Sequence, residues 1–192
     1  MIIENPITPL TEIFDPFFDK KYIKFFIKRE DLTDSFISGN KFYKLKYNLI
    51  EAEKLGYKTL LTFGGAFSNH IHATAAAGKK YGFKTIGVIR GEEHLPSNPT
   101  LSFAQVNGMT IEYLDRKSYR NKYDDDLISR LKNKYGDFYL IPEGGSNHLA
   151  IKGCAEIIPT IDIKFDFVCS ACGTGGTLAG LILGLNSKSF AL

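Results

Sequence analysis

Thr59-Leu60-Leu61-Thr62-Phe63, closed by Gly64-Gly65, is the stretch whose reading decides the fold. The run is apolar, rich in strand formers and too short for a buried helix. It therefore predicts a strand covered on both faces, as in parallel sheets. Ser68 and Asn69 then offer a helix start, and the alanine-rich run Ala73-Thr74-Ala75-Ala76-Ala77 carries a helix from Asn69 to Tyr81, stopped by Gly82. A buried strand feeding a helix is the repeating unit of a doubly wound sheet.

The unit recurs in both directions. Downstream, strands are predicted at 84–90, 110–114 and 138–141, with a helix at 99–106 between the first two. Asp124-Asp125-Asp126 reads as the dipole-favoured start of a helix ending near Tyr135, in preference to a metal site. A helix is expected at 148–158, then a strand at 165–170 and a last helix at 176–185. Upstream, Tyr22-Ile23-Lys24-Phe25-Phe26-Ile27 reads as a strand, and residues 1–20, punctuated by proline, as irregular chain. From Asn40 the spacing of Phe42, Leu45, Leu49, Ala52 and Leu55 predicts a helix that ends at Gly56. The expected class is α/β, with mostly parallel twisted sheets and helices on both faces.

Composition narrows the function. A chain of 192 residues with 44% hydrophobic and 23% charged residues can bury a sizeable core. The net charge of +3 is spread among acids, with no basic stripe interleaved with aromatics, so nucleic-acid binding is not expected. No apolar run is long enough for a membrane-spanning helix. The N-terminus lacks the basic and apolar regions of a secretory signal, and three cysteines are too few for a disulfide framework, so a cytoplasmic protein is expected. Cys169 and Cys172 have C-x-x-C spacing, which fits a redox pair or a buried strand end leading into a glycine loop. No metal site is predicted.

Three polar, glycine-bearing stretches fall at predicted strand ends, where ligands bind in such sheets. Gly173-Thr174-Gly175-Gly176-Thr177 opens a helix, and its backbone N–H groups, threonine hydroxyls and helix dipole suit a phosphate; a simple tight turn is the alternative. It is no Walker loop, since Gly176 is followed by Thr177-Leu178, and no dinucleotide fingerprint, since Leu178 stands where a glycine is needed and no acid follows Gly173. Ser68-Asn69-His70 can bind a carboxylate or a ring substituent, or merely cap a helix. Glu143-Gly144-Gly145-Ser146-Asn147 is the third such loop. Against these stands Lys41, in Ser38-Gly39-Asn40-Lys41, an amine between a glycine turn and a helix start. An amine nucleophile beside anion-binding loops suggests covalent carbonyl chemistry.

The set SGNKFYKLKYN, FGGAFSNHIHATAAAGKKYG, IPEGGSN and GTGGTLAGL resembles the pyridoxal-phosphate enzymes of fold type II, within them the D-cysteine desulfhydrase/aminocyclopropane-carboxylate deaminase family. The matches run in family order over residues 5–185. The resemblance implies pyridoxal 5'-phosphate as cofactor, with Lys41 forming the Schiff base and acting as proton-transfer base. It further implies Asn69 on the cofactor's phenolic oxygen, Gly173, Thr174, Gly175, Gly176 and Thr177 around its phosphate, Ser68 in catalysis and on the substrate carboxylate, and Asn40 and His70 on the substrate. Deaminases of the family carry glutamine where His70 stands, so the resemblance implies α,β-elimination from a small D-cysteine-like amino acid, giving an α-keto acid, ammonia and sulfide. Aminocyclopropane-carboxylate deamination and a non-catalytic cofactor-binding relative remain the alternatives. Tyr43 and His72 replace arginines common in the family. The resemblance implies a homodimer, and two parts: a larger cofactor-binding domain from 1–50 and 151–192, and a smaller α/β domain from 51–150. The family's chains run on past the last helix, so a C-terminally truncated fold is expected.

Overall fold

The computed structural model describes residues 1–93 and 95–189. The chain opens with a short antiparallel pair, β1 (Leu10–Ile13) and β2 (Phe25–Lys28), joined through the one-turn helix α1 (Pro16–Asp19). Next come α2 (Asn40–Lys54), β3 (Thr59–Gly64), α3 (Asn69–Tyr81), β4 (Lys84–Arg90), α4 (Pro99–Val106) and β5 (Met109–Leu114). Then follow α5 (Arg116–Arg120), α6 (Asp125–Tyr135), β6 (Tyr139–Ile141), α7 (His148–Ala155) and α8 (Gly176–Ser189). The second sheet has four parallel strands in the order β5-β4-β3-β6, with Thr59 opposite Lys84 and Leu60 opposite Tyr139. The fold is thus α/β around a parallel sheet.

β3 is central because its side chains have cover on both sides. Leu61 and Phe63 point to one face and pack with Ile86 and Val88 of β4, Tyr119 of α5 and Leu131 of α6. Leu60 points the other way, into a cluster with Leu45 and Leu49 of α2 and Ala73, Ala76 and Ala77 of α3. Burying each of these leucines or phenylalanines contributes about 1.5–3 kcal/mol. The run needed no polar alternation because neither face meets water.

Helices α2 and α3 match their predicted spans, and Gly56 and Gly82 behind them take the left-handed backbone (φ 81° and 77°) that ends a helix. Three expectations change. The strand read at 22–27 begins later, at Phe25, and its partner β1 lies in the stretch read as irregular. The helix read at 148–158 ends at Ala155, and a separate tight turn, Ile158–Thr160, follows with Pro159 inside it. The strand expected at 165–170 does not form. Among the described residues no strand lies beside it to accept its backbone hydrogen bonds, and Phe167 is 88% exposed.

Helices α2, α7 and α8 form a tight layer. A Cβ on Gly153 of α7 would lie 2.0 Å from the Tyr43 carbonyl oxygen of α2, so the two backbones meet where no side chain fits. Gly180 and Gly184 of α8 press in the same way on Cys154 and Ala155. At the far end Glu156 accepts from Lys46 (2.7 Å), Asn5 (2.9 Å) and Tyr47, tying the N-terminal segment to this layer.

Candidate active site

The site lies where α2 begins. Gly39 precedes it with φ 64° and ψ −148°, a backbone only glycine adopts without strain. Its N–H donates to the Glu30 carbonyl (2.8 Å) and to Thr33 Oγ1 (3.0 Å), so the loop before the helix closes on itself and fixes where Lys41 emerges. The neighbouring Asn40 donates its side-chain amide to Thr177 Oγ1 at 2.7 Å, stitching the start of α2 to the start of α8. Burial lowers the Lys41 pKa, and the positive charge of Lys44 adds to the effect, bringing it to about 8 although nearby Cys154 pulls the other way. A lysine so shifted carries an appreciable neutral, nucleophilic fraction near pH 7–8.

Lys44 is the group that sequence reasoning missed. It is 2% exposed, and its ammonium donates to the Gly144 carbonyl (3.1 Å), Ser146 Oγ (3.0 Å) and Thr174 Oγ1 (3.2 Å). One cation therefore joins the third glycine loop to the first. Ser146 and Thr174 also share a short hydroxyl–hydroxyl bond. The glycines are needed for this closeness: a Cβ on Gly176 would sit 2.8 Å from Ser146 Oγ and 3.3 Å from Lys44 Nζ, and one on Gly144 would sit 2.8 Å from Thr174 Cγ2. The available signal was spacing, because Lys44 lies three residues after Lys41 and so shares its helix face.

The stretch at 68–70 divides its labour. Ser68 caps α3, accepting from the N–H groups of His70 (3.2 Å) and Ile71 (3.4 Å), while its own hydroxyl hydrogen stays available. Asn69 is exposed at the first turn. His70 is 1% exposed and faces the sheet. Its Nε2 pairs with Thr62 Oγ1 at 2.8 Å, and Thr62 gives its single hydroxyl hydrogen to the Ile141 carbonyl, also at 2.8 Å. Nε2 must therefore be the protonated nitrogen, which leaves Nδ1 a bare acceptor. Nδ1 is buried without a partner, and a Cβ on Gly145 would lie 3.3 Å from it. Burial, then the charges of Lys41 and Lys44, drives the His70 pKa down to about 3, so the ring stays neutral.

The structure thus brings Lys41, Asn40, His70, Thr174, Gly176 and Thr177 into one neighbourhood bridged by Lys44. This donor set fits a phosphorylated aldehyde. The opening turn of α8 supplies helix-end N–H groups, Lys44 a buried cation, the threonines hydroxyls, and Lys41 the amine. Cys169 and Cys172 are exposed free thiols just before the phosphate-type loop. No helix among the described residues is long and apolar enough to cross a membrane, and no group of metal-ligating side chains among them is suited to an ion.

The fold is α/β around a parallel sheet, and the starts of α2 and α8 are joined by Asn40 and Lys44. The chain belongs to the family of pyridoxal-phosphate dependent enzymes, whose model matches residues 4–191. It is 38% identical over 167 residues to a Pyrococcus horikoshii protein bearing the provisional name 1-aminocyclopropane-1-carboxylate deaminase, covering 84% of this chain and 51% of that protein. It is 32% identical over 171 residues to a D-cysteine desulfhydrase of Klebsiella pneumoniae, covering 83% of this chain and 52% of that one. A crystal structure of a homologue of aminocyclopropane-carboxylate deaminase superposes with a TM-score of 0.81 at 33% identity, over 95% of this chain and 57% of that one. The chain spans about half the length of the curated relatives it matches.

Proposed function

We propose that this chain serves α,β-elimination from D-cysteine or a similar small amino acid, with pyridoxal phosphate bound at Lys41, releasing sulfide, ammonia and an α-keto acid. The observation that carries the reading is the pairing of a Lys41 amine whose pKa is lowered to about 8 with the Lys44-bridged glycine loops. When bound, the cofactor supplies a conjugated ring that draws electrons from the substrate Cα. Lys44, Thr174, Thr177 and the backbone of 173–177 would hold its phosphate at the start of α8. Asn69 would orient the ring oxygen, and the Ser68 hydroxyl and Asn40 would hold the substrate carboxylate. Lys41 Nζ takes the Cα proton, the Cβ–S bond breaks with its electron pair leaving as sulfide, and the unsaturated amine takes up water to give keto acid and ammonia. The neutral His70 acts from beneath the site, its ring buried against Thr62 and the Gly145 loop. We further propose the division into 1–50 with 151–192 and 51–150, and a homodimer.

A second reading, ring opening of 1-aminocyclopropane-1-carboxylate, is favoured by the name of the Pyrococcus horikoshii relative. Supplying the protein with pyridoxal phosphate, then reducing with borohydride and mapping the label, tests the shared part: the label should fall on Lys41 and vanish in Lys41→Ala. Sulfide release from D-cysteine supports elimination. Keto acid from the cyclopropane substrate alone transfers the reading to the second reaction. Absence of label on Lys41 overturns both.

A further inference from the structure

Beyond the carboxyl ends of β3 and β4 an open cavity of about 620 Å³ lies apart from the Lys41–Lys44 cluster. Arg90, the last residue of β4, enters from one wall, and Arg116 and Arg120 of α5 from another. Gly65 and Ala66 of the β3–α3 loop form its floor; a Cβ on Gly65 would lie 3.9 Å from Arg90 Nη2, so the guanidinium reaches along bare backbone.

Glu143, the carboxylate lining this space, is already engaged. It pairs with Lys122 at 3.2 Å and accepts from the Tyr119 hydroxyl at 2.9 Å. The Tyr119 ring meanwhile lies 4.8 Å from the Lys122 ammonium and 5.9 Å from the Arg90 guanidinium, which positions both cations. Four cations thus face one carboxylate, and none of the three arginines has an ion-pair partner among the described residues. Like charges gathered in a concavity repel one another and focus a positive potential on its mouth. Guanidinium forks match carboxylate and phosphate oxygens two at a time, which lysines do not. The volume is within the usual range for small-molecule sites and far exceeds a single chloride.

We propose that this cavity is a second anion site, taking a small molecule with two or more carboxylate or phosphate groups. It does not depend on the reading of Lys41. The occupant is a free polyanionic metabolite that enters from solvent.

Calorimetric titration with inorganic pyrophosphate tests it. Arg116→Gln/Arg120→Gln, both exposed and so compatible with folding, should weaken binding at least about tenfold. Lys20→Gln/Lys21→Gln, removing equal charge from exposed positions elsewhere, should change it less than about twofold. Lys44→Gln, which removes the α2 cation on the phosphate-type loop, should likewise leave this component in place. No measurable binding, equal loss in both double variants, or loss only in Lys44→Gln overturns the proposal. Displacement of pyrophosphate by citrate supports a free polyanion as occupant, and failure of citrate to displace it overturns that class.

Discussion

Residues 59–70 and 165–177 are built alike: a short apolar run, then glycines, then a helix. Only the first keeps its strand. Thr59–Gly64 is hydrogen-bonded to β4 on one side and β6 on the other, and Leu60, Leu61 and Phe63 are wholly buried. At 165–170 no neighbouring strand exists among the described residues, yet α8 forms directly after it. A helix satisfies its backbone from within, whereas a strand borrows its partners from elsewhere in the chain. Identical local signals therefore carry different weight for the two elements.

Truncation should expose this contrast most strongly. Leu61→Ala is expected to cost about 2–5 kcal/mol in urea unfolding, and Phe167→Ala to stay within about 0.5 kcal/mol. A comparable loss at both sites would mean that 165–170 is packed in solution. Hydrogen exchange gives the same contrast without mutation: the amides of Leu60 to Phe63 should open only with global unfolding, and those of 166–170 should exchange through local fluctuation.

The next expected effect concerns the site. The Lys41 amine, its pKa lowered by burial to about 8, gains reactivity as pH rises toward and through that value. At pH 7 its neutral fraction exceeds that of an ordinary surface lysine by roughly two hundredfold or more. Competitive labelling with an amine reagent should show that excess and level off above pH 8–9. A profile still climbing at pH 10 would contradict it. A smaller effect belongs to the first of the two joints: Ser68→Ala removes the cap of α3 and should lower stability by about 1 kcal/mol. The smallest is spectroscopic. His70, held neutral by burial and by Lys41 and Lys44, should show no imidazole titration between pH 5 and 8.

The parallel unit and the long helices were legible because Leu60 to Phe63 and the Asn69–Tyr81 run carry complete local patterns. β1 was not, since Leu10–Ile13 becomes a strand only by pairing with Phe25–Lys28, a partner reached across a one-turn helix. At the site, Lys41 stood out through its glycine turn. Lys44 did not, because a lysine on a helix usually reads as solvated, and its burial depends on two loops about 100 and 130 residues later closing over it. His70 was legible as a polar residue at a helix start, but its orientation toward Thr62 depends on the sheet beneath it.

Gly153 has a consequence for how such a sequence can drift. It touches no ligand and does no chemistry, yet the Tyr43 carbonyl lies where its first side-chain carbon would go. Every coding change at that codon that alters the residue pushes α7 off α2, two residues from Lys41 and one from Lys44. Room alone therefore constrains this position: Gly153→Ala should be less tolerated than the same change at an exposed helix site.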